Sequence, residues 1–232
     1  MTFGALVWIV TADLRRRAFI YLAFCIVAIA LAAVFDRATA QAIRDCGLEQ
    51  FIRDHATLKA TLKAPGTYWF TLCVAAVVVV MHRAHWRAAI FLLAATIVTA
   101  VGEVVKWLVG RYRPFKLPDG SGRLAPFEFH PFPGEAKNLS FPSGHAFLAF
   151  ATAAALGMLW PRWRWAFYLG AAVVAFERVA EDAHWLSDAT AAAVLGVGGA
   201  CLIRRLIGDK LDLDEFSLAR SSVREGRAPA EP

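Results

Sequence analysis

Charged residues are scarce in this chain, and cysteines are scarcer. Only 19% of the 232 residues are Asp, Glu, Lys or Arg, against 58% hydrophobic, a balance too apolar for an average soluble domain. Residues 74–81 and 91–101 lack any polar stripe at helical spacing, which excludes the surface helices of a soluble bundle. Of the four cysteines, Cys25, Cys73 and Cys201 sit inside apolar runs, where a thiol serves as a small hydrophobe, and Cys46 stands alone. They offer neither a disulfide framework nor a zinc pattern. No Asp, Glu and His set carries metal-ligand spacing, so the expected chemistry uses no metal and no cofactor.

In place of polar surface the chain offers six apolar runs: 18–35, 68–81, 88–109, 146–160, 165–180 and 189–203. Most approach the roughly 17–25 residues that cross a bilayer. Runs 68–81 and 146–160 are short and span only if their polar flanks extend the helix into the headgroups. The expected fold is all-α: a polytopic membrane bundle of six transmembrane helices over residues 18–207. A cytoplasmic segment, 1–17, precedes it and a disordered cytoplasmic tail, 208–232, follows.

The net charge of +6 is informative through its distribution and does not imply a nucleic-acid partner. Arg15 to Arg17, Arg83 with Arg87, Arg162 with Arg164, and Arg204 with Arg205 fall at alternate loop ends. The positive-inside rule makes those ends cytoplasmic. Both termini are then inside, and the loops 36–66, 110–145 and 181–188 face outward. Trp69, Trp86, Trp107, Trp160, Trp163, Trp165 and Trp185 sit where helices would leave the hydrocarbon and read as interfacial anchors. Residues 3–10 are too short to span and suit the cytoplasmic interface. Ala38-Thr39-Ala40 resembles a processing site, but the run from Ala18 is long for a signal sequence, so the first span is expected to stay uncleaved. Residues 36–66 suggest an amphipathic helix on the outer surface, ended by Pro65-Gly66. The Pro-, Gly- and Phe-rich stretch 115–141 reads as an outer lid, with His130 a solvated or interfacial histidine.

Chemistry concentrates in three strings. In the first, Pro142-Ser143-Gly144-His145 opens a helix. The unpaired N–H groups and positive dipole end there suit an anion, and Ser and Gly let the backbone approach it. In the second, Glu103 and Lys106 lie near the end of an apolar run, with Arg113-Pro114 beyond. Lys106 either snorkels beside Glu103 or joins Arg113, seven residues on and near the same helical face, to address an anion. Pro114 is expected to stop that helix. The third string, residues 176–188, holds Glu177, Arg178, Glu181, Asp182, His184 and Asp188. Asp188, four residues after His184, can fix the imidazole tautomer as a nucleophile or base requires.

Together the strings resemble the motifs of the type-2 phosphatidic acid phosphatase (PAP2) superfamily: Lys-x6-Arg-Pro, Pro-Ser-Gly-His and Ser-Arg-x5-His-x3-Asp. Here they run from Lys106 to Arg113-Pro114, from Pro142 to His145, and from Arg178 through His184 to Asp188, within residues 67–205. Glu177 stands where the family usually has Ser, and is expected to turn away or pair with a basic neighbour. The resemblance implies that Lys106, Arg113, Arg178, Ser143 and Gly144 hold the phosphoryl group. It further implies that His184 attacks phosphorus, Asp188 orients its ring, and His145 protonates the leaving oxygen. The implied activity is a lipid phosphatase at the outer face of a bacterial inner membrane. Its partners would be the bilayer and a membrane lipid phosphate, undecaprenyl diphosphate first and phosphatidylglycerol phosphate or lipid A phosphate next. The alternatives are a lipid phosphotransferase, a soluble vanadate haloperoxidase, against which six spans argue, and a non-catalytic lipid-binding scaffold. The sequence leaves the oligomeric state open.

Overall fold

The computed structural model describes residues 3–81, 86–114, 131–132 and 139–211. Among these the backbone is helical apart from turns and one isolated antiparallel bridge between Tyr112 and Leu139. In chain order the helices are α1 (Phe3–Asp45), α2 (Leu48–Asp54), α3 (Ala56–Lys63), α4 (Tyr68–Met81), α5 (Trp86–Ile97) and α6 (Thr99–Val109). Then follow α7 (Gly144–Leu159), α8 (Arg164–Ala180) and α9 (Leu186–Ile207).

Each of the six apolar runs lies in this helical frame, but six full spans do not follow. Among the described residues three stretches are long and apolar enough to cross a membrane: Arg16–Asp45, Trp86–Val109 and Leu186–Ile207. A fourth exists only if Ala56–Gly66 and Tyr68–Val80, bent by 58° at their junction, act as one. The shortfall is one of length. At 1.5 Å per residue the 14 residues of α4, 16 of α7 and 17 of α8 reach about 21, 24 and 26 Å, short of a hydrocarbon core about 30 Å thick.

Two further expectations change. Residues 36–66 are not one surface helix, because α1 continues unbroken to Asp45. Gly47, at φ 71°, then turns the chain into α2, and His55 separates α2 from α3. The segment 3–10 is likewise the start of α1 and not a separate element. The break between α5 and α6 has a local cause: the Thr96 hydroxyl donates to Leu93 O at 2.7 Å and the Thr99 hydroxyl to Thr96 O at 2.6 Å. Such back-bonding loosens and bends a helix. The expected tail 208–232 falls outside the described residues beyond the short turn Asp209–Leu211. Of the expected lid only 131–132 and 139–141 are described, and His130 is not among them.

The centre of the bundle is α7, packed against α8, α9 and α5. Its Ala146, Ala149, Ala151, Ala153, Ala154 and Ala155 are buried. Facing them, a Cβ on Gly196 of α9 would come 2.8 Å from Phe147 O and 2.9 Å from Ala151 N. The backbones therefore touch, as small residues allow where apolar burial cannot drive helix association. Large apolar side chains instead point outward, with Val34, Trp69, Val80 and Trp165 each at least 75% exposed. This is the surface expected of a chain solvated by lipid.

Candidate active site

The C-terminal ends of α6 and α8 and the N-terminal ends of α7 and α9 bring the three strings to one end of the bundle. The helix α6 does not reach Pro114. Gly110 ends it in the left-handed conformation (φ 61°), where its N–H bonds to Lys106 O. Arg113 consequently lies past the helix, and the expected shared helical face with Lys106 is replaced by a turn. The segment is held beside 139–140 by the Tyr112–Leu139 bridge and by the Ser140 N–H donating to Arg111 O at 2.8 Å. Arg113 Nε donates to Leu139 O at 3.3 Å.

Lys106 lies beside Glu103, as the first of its two readings expects. Its Nζ pairs with Glu103 Oε1 at 2.7 Å, and it lies 3.5 Å from where a Cβ on Gly144 would stand. Gly144 thus keeps open a space that Lys106 borders. The neighbouring Ser143 caps α7 without using its hydroxyl, which is buried and has no hydrogen-bond partner among the described residues. A buried donor with no partner costs about 1–3 kcal/mol unless a ligand satisfies it, and a phosphoryl oxygen is a fitting acceptor.

His184 is fully buried. Its Nδ1 lies 2.8 Å from Ser140 O and 3.8 Å from Asp188 Oδ2. A carbonyl can only accept, so Nδ1 carries the proton and Nε2 presents a lone pair. The tautomer is thus fixed first by the Ser140 carbonyl, with Asp188 behind it. Burial depresses the pKa of His184; Asp188 opposes this and the nearby Arg113 and Arg178 reinforce it. His145, one residue ahead of the apolar run of α7, is held down to about 3 by burial and then by Arg178, Lys63, His184 and Lys106. Burial, then Arg178, lowers the pKa of Arg113. These mutual influences mark a single cluster: every sequence-predicted site residue stands at this end of the bundle.

Glu177 is fully buried and pairs with its own neighbour, accepting from Arg178 Nε at 2.6 Å. Arg178 Nη2 also pairs with Glu181, whose other oxygen binds Lys59 of α3. Arg178 is therefore held between two carboxylates.

Several residues absent from the sequence reading support the site. Arg111 is buried and donates to Asp188 Oδ1, to Ser187 Oγ at 2.8 Å and to Asp36 Oδ2 at 2.8 Å. Asp36, from α1, also accepts from the Ser187 N–H at 2.8 Å and its hydroxyl at 2.6 Å. The Trp185 N–H donates to Asp188 Oδ2 at 2.9 Å, so both oxygens of Asp188 are engaged. Trp185 itself is 1% exposed, lies under the Arg111 guanidinium at 5.2 Å and donates its indole N–H to Tyr112 O. It is a packing residue and not the interfacial anchor expected. Asp36 was visible as a lone carboxylate at the end of an apolar run, and Arg111 as a third cation beside Lys106 and Arg113; Ser140 carried no signal, because only its carbonyl acts. Among the described residues no three His, Cys, Asp or Glu side chains gather as metal ligands.

Beside the site, an apolar groove of about 530 Å³ runs between α4, α7 and α8, bordered by Pro65, Phe70, Val74, Leu156, Trp160 and Phe167.

A family model described as PAP2 superfamily matches residues 87–212, more than half of the chain. A lipid A 1-phosphatase of Rhizobium etli is 38% identical over 96 residues, 41% of this chain and 40% of that protein. An undecaprenyl-diphosphatase of Sulfolobus acidocaldarius is 26% identical over 140 residues, 60% of this chain and 64% of that protein. The chain thus spans less than two thirds of the length of either curated relative. Among solved structures, the first transmembrane PAP2 type phosphatidylglycerolphosphate phosphatase from Bacillus subtilis aligns with a TM-score of 0.54 at 19% identity. That alignment covers 82% of this chain and 94% of the other, a likeness of fold.

Proposed function

Because the chain belongs to the PAP2 superfamily, we propose that it is an integral-membrane lipid phosphatase, acting at the extracytoplasmic face of a bacterial inner membrane. The preferred substrate is undecaprenyl diphosphate. The observation that carries this reading is the placement of His184, its Nδ1–H on the Ser140 carbonyl and the Arg113 and Arg178 charges near enough to hold its pKa down. Nε2 attacks phosphorus; an N–P bond forms as the bond to the leaving oxygen breaks (the bridging oxygen of a diphosphate, the lipid oxygen of a monoester), and the electron pair leaves with that oxygen. His145 protonates the oxygen when it is a poor leaving group. Water then attacks the phosphohistidine, the N–P bond breaks, and phosphate departs.

Lys106, Arg113 and Arg178, with the Ser143 hydroxyl and the Gly144 N–H, neutralise and orient the phosphoryl oxygens. Phosphoryl transfer needs little else from a protein, and arginine suits forked contact with phosphate. His145 is neutral in the empty cluster, so its acid role depends on the substrate's own negative charge lifting its pKa. The groove beside α7 accounts for the hydrocarbon tail: it is apolar, and Pro65 at its edge belongs to the turn that packs against His145. A second substrate reading, lipid A phosphate, is favoured by the identity to the Rhizobium protein.

The test is phosphate release by purified protein in detergent from a panel of lipid phosphates. Turnover of at least one, surviving a chelator, is expected; activity lost to the chelator and restored by Mg²⁺ would overturn the metal-free mechanism. His184→Ala should abolish both turnover and acid-labile phosphate label on the protein. Retained turnover in that variant excludes His184 as nucleophile.

A further inference from the structure

We propose that Lys59 and Lys63, one turn apart on α3, form a second anion subsite on the leaving-group side of the cluster, which receives the lipid-proximal phosphate of a lipid diphosphate. The inference rests on the phosphatase reading above and goes beyond it by assigning residues to the choice between diphosphate and monophosphate.

Both lysines precede residues 87–212, the part matched by the family model, yet the fold delivers them to the site. The helix α3 packs against α8, and the turn Ala64–Gly66 that follows it packs against both α7 and α8. That second contact is close: a Cβ on Gly66 would stand 2.6 Å from His145 O and 2.8 Å from Val174. The C-terminal end of α3 is therefore pinned over the histidine assigned to the departing oxygen. Lys59 binds one oxygen of Glu181 while Arg178 binds the other, so a single carboxylate separates this lysine from the phosphoryl cradle. Lys63 is half-buried one turn closer to the Gly66 turn, and its charge acts on both Glu181 and His145.

The charge pattern has two poles. Glu103 offsets Lys106, and Glu177 offsets Arg178. On the nucleophile side Arg113 remains, acting on His184. On the His145 side Lys59 pairs with Glu181, and both Lys59 and Lys63 act on that carboxylate. A single phosphoryl group attacked by His184 occupies the first pole. The second pole is where the leaving group emerges.

For a diphosphate, attack by His184 Nε2 on the terminal phosphorus forms the N–P bond and breaks the bond to the bridging oxygen. The electron pair passes to the lipid monophosphate, which gains negative charge as the bond breaks. Two ammonium groups beside that oxygen stabilise charge that is absent from the bound substrate there and develops in the transition state. A monophosphate ester places no second phosphate there and depends on His145 for a proton instead.

The experiment compares full-length protein and its Lys59→Gln, Lys63→Gln and double variants in detergent, on a C15 prenyl diphosphate and the matching monophosphate. Lys59 and Lys63 are half-buried and no residue of α3 is fully buried, so the fold is expected to survive, and melting followed by circular dichroism verifies this. The ratio of kcat/KM for diphosphate over monophosphate is expected to fall about 10- to 100-fold in the double variant, with Lys63→Arg restoring most of it. Equal losses on both substrates, or no loss on either, overturn the subsite. So does a wild-type protein that turns over the monophosphate but not the diphosphate. A wild-type protein inactive on both, and on the wider lipid panel, defeats the phosphatase reading itself and the subsite with it.

Discussion

The imidazole of His184 uses its two nitrogens for different tasks, one to be held and one to react. Because burial lowers its pKa, the neutral, nucleophilic form persists below the ordinary value of about 6.5. The acid limb of kcat/KM is therefore expected below pH 6.5, and a limb above that value would contradict the assignment. The same shift has a stability consequence. His145, at about 3 in the folded chain, takes up its proton more readily when unfolded. Stability is then fully present above about pH 6.5 and is lost as the pH falls toward 3. Melting in detergent should drop between pH 7.5 and 5, and drop less in His145→Gln. Glu177 offers a separate test. Its carboxylate occupies Arg178, so Glu177→Gln should strengthen inhibition by vanadate several-fold while lowering the melting temperature, since a buried guanidinium loses a charged partner. Unchanged inhibition would mean that Arg178 does not face the phosphoryl group.

Pairs of elements hold the two halves of the site in register. Gly196 lets α9, which follows His184, touch α7, which carries His145. A Cβ there meets backbone, which cannot swing aside, so Gly196→Ala is expected to cost about 1–3 kcal/mol and to slow turnover out of proportion to any loss of binding. A wild-type melting curve in that variant would show that the helices part freely. The tie between α1 and α9 is polar instead: Asp36 meets Arg111 and the Ser187 N–H, all of them buried. Asp36→Ala leaves a buried arginine short of a carboxylate and should cost about 3–5 kcal/mol, read as a fall in melting temperature, whereas Asp36→Asn should cost less. Much of this level was legible in advance, since apolar runs report helices and the three polar strings report where they meet. Pairings that depend on backbone direction were hidden. Gly110, not Pro114, ends α6, because a left-handed residue can stop a helix sooner than a missing N–H further on. Ser140 could not be found at all, since a carbonyl has no residue-specific signature. Asp36 and Arg111 were visible as charges but not as partners, being 75 residues apart. Among the described residues three or four stretches pass as spans by length where six were expected, because apolar length along the sequence does not reveal where a helix stops.

At the scale of the whole molecule the arrangement predicts a sidedness. The site lies at the end of the bundle where α1 gives way to α2, and Cys46, in that turn, is exposed. If this end faces outward, a membrane-impermeant maleimide should label Cys46 in intact cells, and a Cys46→Ser variant should lose that label. Labelling only after permeabilisation would place the site inside. The same end shows how the chain depends on its N-terminal third. Residues 87–212 contain all three motifs, but the carboxylate that seats Arg111 comes from residue 36, and Arg44 bonds both Asp182 and Pro114 O. A fragment trimmed to the motif-bearing part would keep its nucleophile and lose the scaffold behind it. Expressed by itself it should be inert, and supplying the first helices as a separate polypeptide should bring back catalysis only while Asp36 is intact.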